Sequence, residues 1–143
     1  MSSARRLLQV RKSMVWSVKP DTPLLDALKL MANKSIGALI VLVDGKLVGI
    51  LSERDYARKV ALEGRDENTT LVRDIMSPKV ITVHPEQTIQ ECMALMEDHH
   101  IRHLPVVEKE RVIGIISLRD VVRDLLYQQS LRGKKPKIQD LVS

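Results

Sequence analysis

The sequence predicts an α+β fold built from two pseudo-symmetric β-α-β-β-α units packed face to face as one domain. Three observations predict it. The chain matches itself once, without a gap, at a shift of 65 residues, so that segment 17–60 falls on segment 82–125. Within each copy the apolar spacing switches between strand-like and helical in the same order. A unit of about 45–50 residues also sits at the margin of independent stability, which favours two copies burying surface together.

Each element has a local reason. Val15-Trp16-Ser17-Val18 reads as a short strand that Pro20 ends. Thr22-Pro23 reads as an N-cap followed by proline at the first helical position, and Leu24, Ala27, Leu28 and Met31 recur at helical spacing to about Lys34. Ala38 to Val43 is an unbroken apolar run, hence a buried strand; Asp44-Gly45 signals a hairpin into a second strand, Lys46 to Leu51. Ser52 opens another helix, through about Leu62. The second copy follows the same plan, with a strand at Val80–Val83 and a helix from Thr88, whose Thr88-Ile89-Gln90-Glu91 is a capping box. Strands near Leu104–Val107 and Val112–Ile116 and a helix from Ser117 complete it. The organisation expected is a basic N-terminal arm and helix (1–14), a first unit (15–62), a linker (63–70), a second unit (71–130) and a basic tail (131–143). Leu71 to Met76 reads as a short helical turn stopped before Pro78.

Composition removes several function classes. The longest apolar stretch, Ala38 to Val43, is far short of the roughly 18 residues a membrane span needs, so no membrane partner is expected. A single cysteine, Cys92, excludes an internal disulfide framework and a cysteine-built zinc site, and fits a reducing, cytoplasmic location. The absence of Phe, with one Trp and two Tyr, leaves almost no stacking surface for single-stranded nucleic acid. The net charge of +5 is uneven: residues 1–19 carry five bases and no acid, whereas residues 20–130 carry 14 bases against 17 acids. Nucleic acid could be contacted only loosely, through the terminal arms; solvated arms that aid solubility are the simpler expectation. The arm's Arg- and Ser-containing, acid-free start echoes an organellar presequence, but Leu7, Leu8 and Val10 favour a packing helix.

The most informative motif is Gly-x-x-Ser-x-Arg-Asp, which occurs at Gly49–Asp55 and again at Gly114–Asp120, both times where a strand becomes a helix. A helix start offers unpaired N–H groups and partial positive charge, suited to phosphate. Ser52 or Ser117 could bond a phosphate or ribose oxygen, Arg54 or Arg119 could neutralise a phosphate, and Asp55 or Asp120 could accept from ribose hydroxyls. Ser-x-x-Asp is equally a plain capping box that needs no ligand. The two readings are compatible, and neither arginine is required by capping.

Other residues invite simpler roles. His99, His100 and His103 cluster in sequence, but Pro105 and the apolar run after it end the helix near His100, so no metal site is expected. Cys92 falls where Ala27 lies in the first copy, on the apolar helix face, and reads as a core residue. No positioned nucleophile or base is recognisable, so no enzymatic activity is expected.

These residues carry a resemblance. Val72-Arg73-Asp74-Ile75-Met76-Ser77, Ile101-Arg102-His103-Leu104-Pro105-Val106-Val107 and the two Gly-x-x-Ser-x-Arg-Asp segments, in this order and spacing, resemble a tandem pair of cystathionine-β-synthase-type (CBS) domains, a Bateman module, over residues 7–127. The stretch Ser52-Glu53-Arg54-Asp55-Tyr56-Ala57-Arg58-Lys59 is similar to small stand-alone members. The resemblance implies two units packed through their sheets, two clefts for adenosyl ligands (AMP, ADP, ATP, NAD(H) or S-adenosylmethionine) and a homodimer. It places Ser52 and Asp55 at one cleft and Ser117 and Asp120 at the other, with Arg54 and Arg119 near phosphates. Trp16, Ile36, Gly37 and Ala38 would wall the first adenine, and Met76, Ile81, Ile101, Arg102 and His103 the second. Trp16 replaces the usual aliphatic residue, which implies a reshaped first pocket or a base stacked differently. The function implied is regulatory adenine-nucleotide binding that alters shape or affinity for a protein partner; the rivals are an adaptor binding nucleic acid through its arms and a ligand-free dimerisation module.

Overall fold

The computed structural model describes residues 2–11 and 14–133. The elements run α1 (Ala4–Arg11), β1 (Ser17–Val18), α2 (Leu24–Lys34), β2 (Ala38–Val43), β3 (Lys46–Ser52), α3 (Glu53–Tyr56, continued by a π-helical turn at Ala57–Ala61), α4 (Val72–Ile75), α5 (Ile89–His99), β4 (His103–Glu108), β5 (Arg111–Ser117) and α6 (Leu118–Leu131). The mixed helix-and-strand content bears out the α+β expectation. The basic tail beyond residue 133 and Lys12 of the N-terminal arm lie outside the described residues.

Two compact units form, the first from Val15–Val80 with Lys109–Val112 and the second from the described residues of Met1–Met14, Ile81–Glu108 and Ile113–Ser143. In the first unit, β2 pairs parallel with β1 and antiparallel with β3, with Ala38 opposite Ser52 and Ile40 opposite Ile50. Asp44 and Gly45 turn the hairpin, both at positive φ (49° and 79°), conformations that Asp and Gly tolerate. Leu24, Ala27, Met31, Leu39, Val41 and Leu51 fill the core. In the second unit Ile89, Cys92, Met96, Leu104, Val106 and Ile116 fill the same places. Each of these is 65 residues beyond its partner, so the repeat read in the sequence is a repeat of the core.

Three details depart from the sequence expectation. The helix α2 begins one residue later than predicted: Pro23, with φ −57° and ψ 134°, is its N-cap, and the Thr22 hydroxyl accepts from the Lys19 N–H at 3.1 Å. The strand expected at Val80–Val83 shrinks to a single parallel bridge, Val83 with Val106. Its hydrogen bonds run from Val83 N to Pro105 O and from Val107 N to Val83 O. Pro105 stands where the first unit has Ile40 and offers no N–H, which shortens the ladder.

The third departure concerns the segment before each unit. Leu71–Val80 is compact with the first unit, whereas the N-terminal helix is compact with the second. In the first unit Val72 N donates to Thr22 O, Arg73 N to Pro20 O and Leu24 N to Thr70 O, each at 2.9 Å. In the second, Ala4 N donates to Gln87 O at 3.0 Å, Arg5 N to Pro85 O at 2.8 Å and Ile89 N to Ser2 O at 3.3 Å. The side chain of Arg5 then clamps Glu86 at 2.8 Å and Glu108 at 2.5 Å, and these two carboxylates hold its pKa above the ordinary arginine value. Thus α1 and α4 play one structural role, each on the unit opposite in sequence to the one it precedes.

Candidate functional site

Each Gly-x-x-Ser-x-Arg-Asp motif forms the same junction. In the first unit Ser52 N donates to Asp55 Oδ2 at 2.9 Å, Ser52 Oγ donates to the same oxygen at 3.0 Å, and Asp55 N donates to Ser52 Oγ at 3.1 Å. In the second, Ser117 N donates to Asp120 Oδ2 at 2.8 Å and Asp120 N donates to Ser117 Oγ at 3.1 Å. Both are full capping boxes, so the capping reading of the motif holds. All four side chains are half-buried, while Arg54 and Arg119 are exposed at the second helical position.

The segments expected to wall the adenine come to these junctions by backbone pairing. Glu53 N donates to Gly37 O at 3.0 Å, and Ala38 pairs with Ser52, which sets Ile36-Gly37-Ala38 beside the first Ser–Asp pair. Leu118 N donates to Arg102 O at 2.8 Å and sets Ile101-Arg102-His103 beside the second. Ile81 and Ile101 both pack on the second core. Trp16 and Ile36 pack on the first core, and Lys34 Nζ lies 4.3 Å from the indole centroid, a cation–π contact that occupies the ring.

Met76, expected in the second cleft, sits in the first unit against Gly49 of β3. A Cβ on Gly49 would come 2.6 Å from Met76 Sδ and 3.2 Å from Ser77 O, so glycine is what lets this segment lie on β3. Ser77 in turn bridges Ile50, with Ile50 N to Ser77 O at 3.1 Å and Ser77 N to Ile50 O at 2.9 Å. In the second unit Leu8 of α1 occupies the matching place against Gly114.

Sequence reasoning missed what this docking adds to Asp55. Ser77 Oγ donates to Asp55 Oδ1 at 3.3 Å, and Lys59, one turn along, pairs with that oxygen at 3.6 Å while donating to Ile75 O at 2.9 Å. The i,i+4 spacing of Asp55 and Lys59 was the available signal; Ser77 had none, because it reaches the site only through its bridge to Ile50. The helix carrying His99 ends where the sequence placed its end. His100 is the αL C-cap that ends α5, with φ 53° and ψ 44°, and His103 begins β4. Among the described residues no group of three His, Cys, Asp or Glu side chains could hold a metal ion. Cys92 is fully buried, and burial pushes its thiol up to about 11, which makes it inert at neutral pH.

Comparison with known proteins agrees with this architecture. The CBS domain family model matches twice, over residues 9–62 and 72–127. This chain belongs to the CBS-domain family, as a tandem pair of the kind found in signal-transduction and regulatory proteins. It is 42% identical over 121 residues to the mitochondrial CBS domain-containing protein CBSX3 of Arabidopsis thaliana, aligning 81% of this chain with 58% of that one. It is 32% identical over 116 residues to the CBS domain-containing protein YhcV of Bacillus subtilis, aligning 81% of this chain with 82% of that one. A solved structure from Burkholderia ambifaria, described as a candidate signal-transduction protein with CBS domains, superposes with a TM-score of 0.85 at 41% identity, over 90% of this chain and 96% of that one. Among the described residues, no helix is long and apolar enough to cross a membrane.

Proposed function

We propose that this protein is a cytoplasmic regulatory module that binds adenine nucleotides, AMP, ADP, ATP or NAD(H), and catalyses no reaction. The observation that carries the reading is the doubled junction: in both units the strand-to-helix turn brings a helix start, a Ser hydroxyl and an Asp carboxylate together, with an exposed Arg at the second helical position. Phosphate suits the N–H groups and the guanidinium, and ribose hydroxyls suit the carboxylate, whose Oδ2 already accepts from the helix cap. Ligand binding favours one arrangement of the protein over another, and a protein partner reads that arrangement; the working form is a homodimer.

Isothermal titration calorimetry of Asp55→Asn and Asp120→Asn with AMP, ATP and NADH tests the reading. Asn keeps an oxygen for the cap, so folding survives, while loss of a charged acceptor for ribose weakens binding by roughly 1.5–3 kcal/mol. Unchanged affinities in both variants would remove the carboxylates from the site.

A further inference from the structure

In the first unit the carboxylate of Asp55 is already engaged by its own chain. Oδ2 accepts from Ser52 N at 2.9 Å and from Ser52 Oγ at 3.0 Å, while Oδ1 accepts from Ser77 Oγ at 3.3 Å and faces Lys59 Nζ at 3.6 Å. A carboxylate has about four acceptor positions, so a ribose hydroxyl that reaches Asp55 must displace a donor already there. The two oxygens are held unequally. The Oδ2 bonds are shorter and belong to the helix cap, whereas Ser77 is long for a bond between two oxygens and Lys59 is longer still. A hydroxyl at liberty to approach a charged carboxylate settles at about 2.5–2.7 Å. Ser77 is not at liberty, because its backbone is bridged to Ile50, with Ser77 N donating to Ile50 O at 2.9 Å and Ile50 N to Ser77 O at 3.1 Å. The same bridge makes the hydroxyl easy to give up, since rotation about χ1 moves Oγ and leaves the segment docked. Lys59 keeps its bond to Ile75 O, at 2.9 Å, when it cedes Asp55. The Asp55 side chain is 14% exposed, so it is not sealed from a ligand.

We propose that the Ser77 hydroxyl is an internal competitor for the ribose of the nucleotide: it occupies Asp55 Oδ1 and is exchanged for a ribose hydroxyl when the ligand binds. The inference rests on the adenine-nucleotide reading and deepens it at the first junction. The exchange replaces one O–H donor by another, so the net gain is smaller than an unengaged carboxylate oxygen would give. Ser77 thereby sets the affinity of the first site while contributing nothing to the bound ligand, and the site is selective for sugars that carry a hydroxyl able to take its place.

Calorimetry with AMP and 2′,3′-dideoxy-AMP tests this in an Asp120→Asn background, which weakens the second junction, comparing that parent with its Ser77→Ala and Ser77→Thr derivatives; melting temperatures are the folding control. Ser77→Ala should bind AMP about two- to tenfold more tightly than the parent, the worth of one hydrogen bond. Ser77→Thr, which keeps the hydroxyl, should bind as the parent does, and the dideoxy ligand, with no hydroxyl for Asp55, should gain nothing from Ser77→Ala. AMP affinity that Ser77→Ala leaves unchanged or weakens would overturn the competition and leave the nucleotide reading standing. An equal gain for the dideoxy ligand would also overturn it, by showing a roomier pocket rather than an exchange at Oδ1. AMP bound by the wild type but by neither Asp120→Asn nor Asp120→Asn/Ser77→Ala would confine the nucleotide to the second junction and overturn the inference. No AMP binding by the wild type would overturn both readings.

Discussion

Gly49 shows how a single residue decides which segments meet. With no side chain it lets Met76 and Ser77 lie on β3, and Ser77 then reaches Asp55. Gly49→Ala is expected to cost about 1–3 kcal/mol of stability, the usual penalty for overpacking. In a Met76→Ala background the same change should cost less, because the first obstacle is the Met76 sulfur; denaturant midpoints of the two single variants and the double variant check it. An additive pair would show that Met76 is not what the glycine accommodates. The glycine is part of the motif, but what it accommodates was not legible, since Met76 is 27 positions away and the contact exists only because the segment after α4 bridges Ile50.

At the scale of elements, capping explains where helices begin. Thr88 and Glu91 form a reciprocal box at the start of α5: Glu91 N donates to Thr88 Oγ1 at 3.1 Å and Thr88 N donates to Glu91 Oε1 at 3.2 Å. These bonds favour the charged carboxylate, first that from the Thr88 backbone and then that from its hydroxyl, and hold its pKa below the ordinary glutamate value. A carboxylate with a depressed folded-state pKa adds stability above its unfolded pKa and loses it as pH falls through the folded one. The melting temperature should therefore fall on acidification below about pH 4.3, and more shallowly for Glu91→Gln than for wild type; identical slopes would remove Glu91 from the acid response. This box could be read from four consecutive residues. The shortened strand at Val83 was harder to foresee, because it depends on Pro105 lying opposite, a pairing that local periodicity does not reveal.

For the whole molecule, the 65-residue repeat revealed the core, since Leu24, Met31, Leu39 and Leu51 recur as Ile89, Met96, Leu104 and Ile116 in the second unit. It did not reveal which unit each preceding helix joins. Ser2–Leu8 and Thr70–Met76 dock through backbone hydrogen bonds at Pro85–Ile89 and Pro20–Leu24, contacts that any side chain can make and that leave little trace in residue identity. Their equivalence also runs at a different shift from that of the strands, with Ala4 answering to Val72. The junction residues were legible because capping and ligand chemistry ask for the same types at the same spacing; Lys59 showed only in its i,i+4 spacing from Asp55, and Ser77 not at all, because it reaches Asp55 through docking between segments.

The central claim is that adenine nucleotides bind the folded protein, and thermal denaturation of the wild type against AMP, ADP, ATP, NADH and GTP tests it most directly. At a hundredfold excess over Kd, a ligand confined to the folded state adds about 2.7 kcal/mol, which raises the melting temperature by several degrees. At least one adenine nucleotide should produce that rise, and more of it than GTP. A melting temperature that none of them moves, at millimolar ligand, would contradict the claim.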